Sequence, residues 1–177
     1  QQGLRDDLKL LGISATLDSE KLQKLLPDAQ VLTSEGRGFP IAYSYHAPNL
    51  QGRSLNQAMI PAVVNAVQLA LQEQQGSILV FLPGVSEIKR CQQQLQELAL
   101  PADILPLYGQ LSSQAQQQAI APAKLGQRKV VLATNIAETS LTIQGISVVV
   151  DSGLERRVSF SPRSGVSKLS TRRISQA

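Results

Sequence analysis

Short apolar runs of four to six residues recur from residue 77 onward, and each ends at a polar residue or a glycine-containing turn. Apolar runs of this length without alternation are typical of strands that are buried on both faces. The pattern therefore predicts four strands, at residues 77–82, 104–107, 129–133 and 146–150.

Helical periods lie between these runs and before the first of them. Residues 55–74 carry their apolar side chains on one stripe, and Gly76 marks the end of that helix. After residues 83–84, apolar side chains recur at intervals of three and four, which predicts a second helix with Ser86 as its N-cap. The side chains of that apolar face are Ile88, Cys91, Leu95 and Leu98.

A polar stretch and an alternating stretch complete the predicted elements. Residues 112–120 predict a short helix capped by Ser112 or Ser113, and FPIAYSYHA, residues 39–47, alternates like a strand. Strands that alternate with helices predict an α/β fold, in which a parallel sheet has right-handed crossovers and helices on both faces. Ligands of such sheets gather at the carboxyl ends of the strands, where the polar ends of all four runs lie.

The C-terminal part of the chain has a different pattern. Two β segments flank residues 161–165, which predicts a β-hairpin near the C-terminus. From Asp151 to the end, six Lys and Arg stand against two acidic residues, and the whole chain carries a net charge of +4. This bias fits a solvated tail, which charge alone slightly favours, or a hairpin whose basic residues project together toward a polyanion.

Composition limits the class of protein. The 177 residues, with 42% apolar content, suit one domain or one domain with an appendage. The single Cys91 and the single His46 exclude an internal disulfide and a zinc cluster. Without a membrane-length apolar run or a signal peptide, we expect a cytoplasmic location and no membrane partner. The first residues lack an initiator Met, so we expect a fragment of a longer chain.

The third apolar run changes abruptly into hydroxyl groups. Val130 to Ala133 are apolar, whereas Thr134 and the residues after it carry hydroxyls, an amide and a carboxylate. Free backbone N–H groups and small hydroxyls at the edge of a sheet suit phosphate oxygens. The same groups also suit the simpler role of capping a turn, which the residue types alone favour. At this level both interpretations stay open.

Five segments, in order along the chain, carry a family resemblance. Residues 133–143, ATNIAETSLTI, resemble motif V of the DEAH-box family of superfamily-two helicases nearly letter for letter. Residues 13–17, ISATL, resemble motif III, and residues 78–84, ILVFLPG, resemble motif IV. Residues 105–122 are similar to the segment between motifs IV and V. Residues 161–177 are similar to the stretch before motif VI, particularly in the bacterial HrpB-type members.

The resemblance covers essentially the whole chain and implies a piece of an ATP-dependent nucleic-acid helicase. Residues 1–32 would be the end of the first RecA-like domain with its linker. Residues 33–177 would be the second RecA-like domain, truncated before motif VI. The implied partners are a single-stranded or duplex nucleic acid, with RNA favoured, and the first RecA-like domain of the same full-length chain.

The groups that hydrolyse ATP are missing from this sequence. It contains no G-x-x-x-x-G-K-[ST] phosphate loop and no Asp-Glu-x-His run, and the arginine-containing motif VI is absent too. The resemblance implies ATP with Mg²⁺ as the cofactor of the full-length enzyme, with the Mg²⁺ ligands outside this chain. We therefore expect no catalytic residue, no metal site and no ATP hydrolysis in the chain alone.

The resemblance assigns nucleic-acid contacts to the edge of the sheet and to the hairpin. Thr134 matches the motif V residue that contacts the nucleic-acid backbone, and Asn135 lies beside it. Gly84 of motif IV would let the backbone approach a phosphate because it has no Cβ, although the strand-to-helix turn also explains a glycine. In this family the hairpin projects toward the strand junction and assists separation. Its candidate phosphate ligands here are Arg157, Arg163 and Lys168.

A second set of residues is assigned to the nucleotide. Ser140 and Thr142 match residues that face the nucleotide across the domain cleft and sense its state. Gln144 stands where relatives often have an acid near the ribose, so it would bond a hydroxyl without carrying a charge. Ile120 matches an aromatic residue that packs on the base, which leaves a weak apolar contact and little base preference. The residues that match the coupling residues of motif III are Ser14 and Thr16.

Two further interpretations stand beside the motor half. One is a non-motor α/β module that binds single-stranded nucleic acid through its backbone, although an aromatic content of 3% counts against a stacking platform. The other is an unrelated flavodoxin-like or other parallel α/β domain that binds a small phosphorylated ligand. The eleven-residue match to motif V and the order of the other motifs favour the helicase.

Overall fold

The computed structural model describes residues 24, 30–32, 39–52, 54–134, 143–161 and 165–174. The chain divides into two units, Gln1–Tyr43 and Ser44–Ala177. In the first unit, Lys24 is helical and residues 39–43 are exposed without regular structure. The elements that follow all belong to the second unit. The domain boundary expected between residues 32 and 33 stays a prediction.

A parallel sheet of four strands forms the centre of the second unit, as far as the structure describes it. The strands are β1 (Ser77–Phe81), β2 (Asp103–Leu107), β3 (Lys129–Ala133) and β4 (Ile146–Asp151), in the spatial order β2-β3-β1-β4. β1 is central, since it pairs with β3 on one side and with β4 on the other. The four predicted strands are confirmed to within one residue at each end.

Helices cover both faces of this sheet. In the described residues they are α1 (Leu55–Glu73), α2 (Val85–Glu97) and α3 (Ser113–Ile120). Successive strand residues point to opposite faces. Val130 and Leu132 of β3 therefore pack with α1 and α2, whereas Val131 and Ala133 pack on the side of α3. Every residue of β3 is buried, which explains why its sequence does not alternate, and the predicted α/β architecture is confirmed.

Local sequence ends α1 as the pattern predicted. At its start, the backbone N–H of Ser54 donates to Oε1 of Gln57 at 2.9 Å. After its end, Gly76 adopts φ +79°, a left-handed conformation, and a Cβ there would clash with the Ser147 hydroxyl. Only glycine satisfies both conditions, so the chain turns from α1 into β1 at this residue.

Two local predictions are wrong. Residues 39–47 are exposed and form no strand in the described part of the chain. Alternation produces a strand only where a neighbouring strand completes its backbone hydrogen bonds, and Pro40 and Pro48 have no amide donor to offer. Ser86 is not the N-cap of α2. The helix begins at Val85, and Gly84 occupies the N-cap position in an extended conformation.

The other two helix predictions are confirmed in part or in full. Ser112 is the N-cap of α3, where its hydroxyl accepts a hydrogen bond from the N–H of Ala115 at 3.3 Å. Ile88, Cys91 and Leu95 form the buried face of α2 with no exposed surface. Leu98 lies just beyond the end of α2 and is 42% exposed, so the apolar face is one residue shorter than its period suggested.

The predicted hairpin is also present. Strands β5 (Leu154–Ser161) and β6 (Val166–Arg173) pair in antiparallel register from Leu154↔Arg173 to Ser161↔Val166. Directly opposite residues share a face. One face is polar and basic, and the other presents Val158, Phe160 and Leu169, which are 65%, 64% and 55% exposed.

The buried thiol of Cys91 provides a test of this core. Cys91 is fully buried, and burial raises the pKa of its thiol to about 12. At pH 8 only about one part in 10⁴ of such a group is thiolate, which is the reactive form. We expect iodoacetamide to modify native protein far more slowly than a small free thiol and to modify urea-unfolded protein fully.

A matched pair of leucine variants tests whether this protection comes from the core. Leu132 is fully buried in β3, whereas Leu125 is fully exposed. Leu132→Ala should cost about 2–5 kcal/mol of unfolding free energy and speed Cys91 modification by at least about 30-fold. Leu125→Ala should change neither the urea midpoint nor the modification rate. Equal rates for the two variants would contradict the packing described for β3.

Candidate functional site

Three strands end side by side at the carboxyl edge of the parallel sheet. Phe81 of β1 is level with Ala133 of β3 and Asp151 of β4. The N–H of Leu82 donates to the carbonyl of Ala133 at 2.8 Å, and the N–H of Ser152 donates to the carbonyl of Phe81 at 3.1 Å. The sheet therefore brings the turn with Gly84 close to Thr134, as expected for residues that follow neighbouring parallel strands.

Thr134 carries a buried hydroxyl at this edge. The residue is 8% exposed, and its Oγ1 has no hydrogen-bond partner among the described residues. A buried hydroxyl without a partner costs about 1–3 kcal/mol, so proteins retain such groups where something else satisfies them. The residues after Thr134 that a turn cap would bond lie outside the described residues, so the turn cap and the phosphate contact both stay predictions.

Gly84 leaves room for an arginine from the hairpin. A Cβ on Gly84 would lie 2.8 Å from Cζ and from Nη1 of Arg156, and 2.9 Å from a carboxylate oxygen of Glu87. Its φ of −172° is extended backbone that any residue adopts, so close approach and not conformation explains the glycine. The residue is buried. This arrangement supports the structural interpretation of Gly84, and its contact with a phosphate stays a prediction.

Arg156 joins the hairpin to the first turn of α2. Its Nη2 donates to the hydroxyl of Ser86 at 3.1 Å and lies 3.2 Å from Oε2 and 3.3 Å from Oε1 of Glu87. Glu87 also pairs with Arg90 one turn along the helix, at 3.4 Å. The carboxylate lies in the first turn of α2, where the helix dipole stabilises a negative charge. The sequence interpretation missed this contact, because nothing in the local pattern relates residues about 70 positions apart.

The hairpin brings two of its three candidate phosphate ligands together. Arg157 lies opposite Ser170, and Lys168 lies opposite Ser159. Both residues therefore lie on one face as diagonal neighbours, with their backbone positions about 7–8 Å apart, and both are exposed. Arg172 lies on the same face of the ladder, opposite Glu155. A face with three cations and one carboxylate suits a polyanion, whereas the opposite face presents Val158, Phe160 and Leu169 beside Arg156 and Arg173.

Two of the candidate nucleotide residues, Ile120 and Gln144, lie at the other edge of the sheet. α3 follows the carboxyl end of β2 and runs back over the sheet, so that Ile120 lies at its far end. Gln144 precedes β4, and the carbonyl of its neighbour Gly145 accepts a hydrogen bond from the N–H of Ser77 at the start of β1. Ile120 is half-buried against the apolar cluster that includes Ile143, and Gln144 is exposed. The structure thus separates the two candidate sites by the length of a strand.

Two cations at the start of β3 complete the amino edge, and the sequence interpretation missed their role. Nζ of Lys129 donates to the carbonyl of Ala119 at 2.7 Å and also to the carbonyl of Ala121. Nε and Nη1 of Arg128 donate to the carbonyls of Gly76 and Leu71 at 2.6 and 2.7 Å. A charged residue inside a strand that is otherwise wholly apolar was the available signal.

Several predicted site residues lie outside the described residues. They are Ser14, Thr16, Asn135, Ser140, Thr142 and Arg163. Their assigned roles stay predictions.

The described residues fit one side of a nucleotide site. A nucleoside presents an apolar ring face and ribose hydroxyls, and the amino edge offers the half-buried Ile120 and the exposed amide of Gln144.

In the described residues no group of three or more His, Cys, Asp and Glu is placed to hold a metal ion. None of the helices described is both long and apolar enough to cross a membrane.

Comparison with known proteins identifies the family. Residues 59–170 match the model of the helicase conserved C-terminal domain, which is more than half of the chain. The chain belongs to the helicase conserved C-terminal domain family. This helicase C-terminal domain is 53% identical over its full length to the ATP-dependent RNA helicase HrpB of Escherichia coli, of which it covers 21%. It is 39% identical over 98% of its length to the pre-mRNA-splicing factor ATP-dependent RNA helicase prp22 of Schizosaccharomyces pombe, of which it covers 15%.

Solved structures agree with this assignment. The helicase C-terminal domain matches a crystal structure of the Escherichia coli DEAH/RHA helicase HrpB with a TM-score of 0.86 and 52% identity, over 99% of this chain and 22% of that one. A second crystal structure, of the Escherichia coli DExH-box NTPase HrpB, matches with a TM-score of 0.83 at 52% identity, over 99% and 21%. The resemblance to DEAH-box helicases of the HrpB type is confirmed. The chain spans about a fifth of the length of HrpB.

The contact of Gly84 with Arg156 predicts a coupling that a double-mutant cycle measures. In Gly84→Ala, the new Cβ must displace the guanidinium, which then loses its bonds to Ser86 and Glu87. Because the pair is partly exposed, we expect the loss to be about 0.5–1 kcal/mol. In an Arg156→Ala background the same glycine substitution should lack this cost, since only the flexible carboxylate of Glu87 then remains to be displaced.

Urea denaturation of the four proteins gives the coupling energy directly. The cycle cancels the intrinsic effect of alanine at an N-cap, which a single variant cannot do. Additive effects of Gly84→Ala and Arg156→Ala would show that the two residues do not interact in solution.

Proposed function

We propose that residues 33–177 are the second RecA-like domain of an ATP-dependent RNA helicase of the HrpB type, and that residues 1–32 are the end of the first RecA-like domain with its linker. In the full-length protein the second domain forms one wall of the nucleotide cleft and half of the groove that holds the backbone of a single strand. The relatives named above are ATP-dependent RNA helicases, which supports the activity and the choice of RNA. A cytoplasmic location stays a prediction.

The observation that carries this proposal is the position of Thr134 and of Gln144, which lie at opposite edges of the sheet. The buried hydroxyl of Thr134 follows β3 at the carboxyl edge, and Gln144 precedes β4 at the amino edge. The connection from β3 to β4 therefore links the two edges. A segment that touches the nucleic acid at one end and the nucleotide at the other would transmit a change at either site to the other.

The nucleic-acid side of the proposal uses the carboxyl edge and the hairpin. Thr134 would donate its hydroxyl to a phosphate oxygen, and Asn135 and the turn at Gly84 would line the same track. Arg157, Arg163 and Lys168 would hold phosphates farther along it. All of these contacts are to the phosphate backbone of the nucleic acid, so we expect binding with little preference for base sequence.

The nucleotide side uses the amino edge. Ile120 would pack on the base, Gln144 would bond a ribose hydroxyl, and Ser140 and Thr142 would face the phosphates. Bound ATP with Mg²⁺ supplies the cleavable phosphoanhydride. This chain's own residues orient the nucleotide and exclude water from one side of it. The first RecA-like domain would supply the opposite wall, so the chain alone should not hydrolyse ATP.

A non-motor module that binds single-stranded nucleic acid is the second candidate. The basic face of the hairpin favours it, since Arg157 and Lys168 are exposed and lie together. The two candidates differ in whether the edge at Thr134 affects ATP hydrolysis. A motor requires that link, whereas a binding module does not.

The hydroxyl of Thr134 tests the motor. In the full-length protein, Thr134→Ala should lower RNA-stimulated ATP hydrolysis by about tenfold, the effect of one lost hydrogen bond to a charged group. The melting temperature should change little, because Thr134 Oγ1 has no partner within the described structure. Thr134→Ser keeps the hydroxyl and should retain most of the stimulation. Parallel loss of melting temperature and activity would make Thr134 a turn cap only.

The basic face of the hairpin tests the groove. The slope of the logarithm of the binding constant for single-stranded RNA against the logarithm of salt concentration is negative. Arg157→Ala and Lys168→Ala should each lower the magnitude of this slope by about 0.7, the value for one phosphate contact. Arg173→Ala is the matched control, since Arg173 is exposed on the opposite face of the same ladder. An equal effect of all three variants would indicate a general charge effect and no defined track.

A further inference from the structure

Lys129 is a buried cation that none of these roles uses. It begins β3, and only 2% of its surface is exposed. Burial of a lysine is costly unless its protons are bonded, and it lowers the pKa of Lys129 below the ordinary value. An apolar side chain would serve β3 equally well as a strand residue. The presence of a lysine at this position therefore indicates a specific role for its Nζ group.

The Nζ group bonds the backbone carbonyls of the two residues that flank Ile120. It donates to the carbonyl of Ala119 at 2.7 Å and to the carbonyl of Ala121. Ala119 is fully buried, and the backbone N–H of Lys129 is itself fixed by the Ser77 hydroxyl at 3.2 Å. The backbone on either side of Ile120 is thus tied to the central sheet by one side chain.

The end of α3 needs such a contact. Many helices end at a glycine in the left-handed conformation, which bonds the last carbonyls. Here Ala121 is extended, at φ −54° and ψ 149°, and Pro122 follows it, which disfavours any helical conformation of Ala121. Its N–H bonds only the carbonyl of Gln117, at 2.8 Å. A cation at this helix terminus bonds the carbonyls of Ala119 and Ala121 and complements the helix dipole.

We propose that Lys129 is a positioning residue for nucleotide binding, because its Nζ group holds the carbonyls of Ala119 and Ala121 and so sets the position of Ile120. The proposal rests on the proposed function, in which Ile120 packs on the base. It adds a residue of the sheet, remote from the nucleotide itself, that determines whether the apolar contact is in place.

The neighbouring Arg128 provides a matched control. It bonds the carbonyls of Gly76 and Leu71 at 2.6 and 2.7 Å, so it anchors the end of α1 by the same chemistry as Lys129 anchors α3. The two residues are adjacent in the chain and serve opposite faces of the sheet. A general loss of stability at the amino edge would affect both variants, whereas a loss of positioning at Ile120 would affect only Lys129.

The experiment compares Lys129→Met, Arg128→Met, Ile120→Ala and the double variant Lys129→Met with Ile120→Ala in the full-length protein. Lys129→Met should raise the KM for ATP and the Kd of a fluorescent ADP analogue by roughly 3- to 10-fold, the range of one weakened apolar contact. The kcat at saturating ATP should not change, because the contact is equal in the ground and transition states. Arg128→Met should leave KM and Kd within about twofold of the parent. The double variant should be no weaker than Ile120→Ala alone.

Hydrogen exchange gives a readout that needs no turnover. Lys129→Met should accelerate exchange at the N–H of Ala121, whose bond to Gln117 closes the helix end, and Arg128→Met should not. If Lys129→Met does not fold, Lys129→Gln keeps an N–H donor without the charge and should follow the same order of effects.

The outcomes separate this proposal from the function on which it rests. A weaker Kd in Ile120→Ala with an unchanged Kd in Lys129→Met would overturn the positioning role and leave the nucleotide contact intact. An unchanged Kd in both variants would show that Ile120 does not contact the nucleotide. It would overturn both the contact of Ile120 with the base and the positioning role of Lys129. Equal effects of Lys129→Met and Arg128→Met on Kd and exchange would reduce Lys129 to a stabilising residue.

Discussion

The pairing of β1 with β3 on one side and with β4 on the other positions the candidate residues Gly84, Thr134 and Gln144. Because Phe81 is level with Ala133 and Asp151, the carboxyl ends of the three strands form one edge. A shift of β3 by one residue would exchange its two buried sets of side chains and would move Lys129 away from the carbonyl of Ala119. The position of Thr134 therefore follows from the register of the strand before it.

The amino end of β3 carries a second constraint. Arg128 and Lys129 point to opposite faces and tie the ends of α1 and α3 to the sheet. Partnered burial of charge seldom adds stability over a well-packed apolar core, because desolvation opposes the Coulomb attraction. Its physical benefit here is geometric, since each cation bonds backbone carbonyls at a helix end and so fixes that end against the sheet.

The hairpin is joined to the sheet by a polar contact. Arg156 reaches Ser86 and Glu87 at the first turn of α2, beside Gly84, and leaves Arg157 on the other face. One basic residue of the adjacent pair is thereby structural, and the other is free for a ligand. Alternation along β5 accounts for the division, because neighbours in a strand point in opposite directions. The consequence is that the position of the basic face depends on the turn of motif IV.

The sequence by itself determined the elements and their class. Uninterrupted apolar runs, a glycine stop at Gly76 and a serine cap at Ser112 are local features, so four strands, three helices and the hairpin followed from short-range physics. The same local rules failed for residues 39–47 and for Ser86, where a strand needs a partner and a cap needs the right entry of the chain. The tertiary structure alone decided that Thr134 is buried without a described partner, that Arg156 fills the space above Gly84, and that Lys129 holds the backbone around Ile120. Each of these contacts joins residues from different elements, and a pattern of near neighbours carries no information about which distant side chains the sheet brings together.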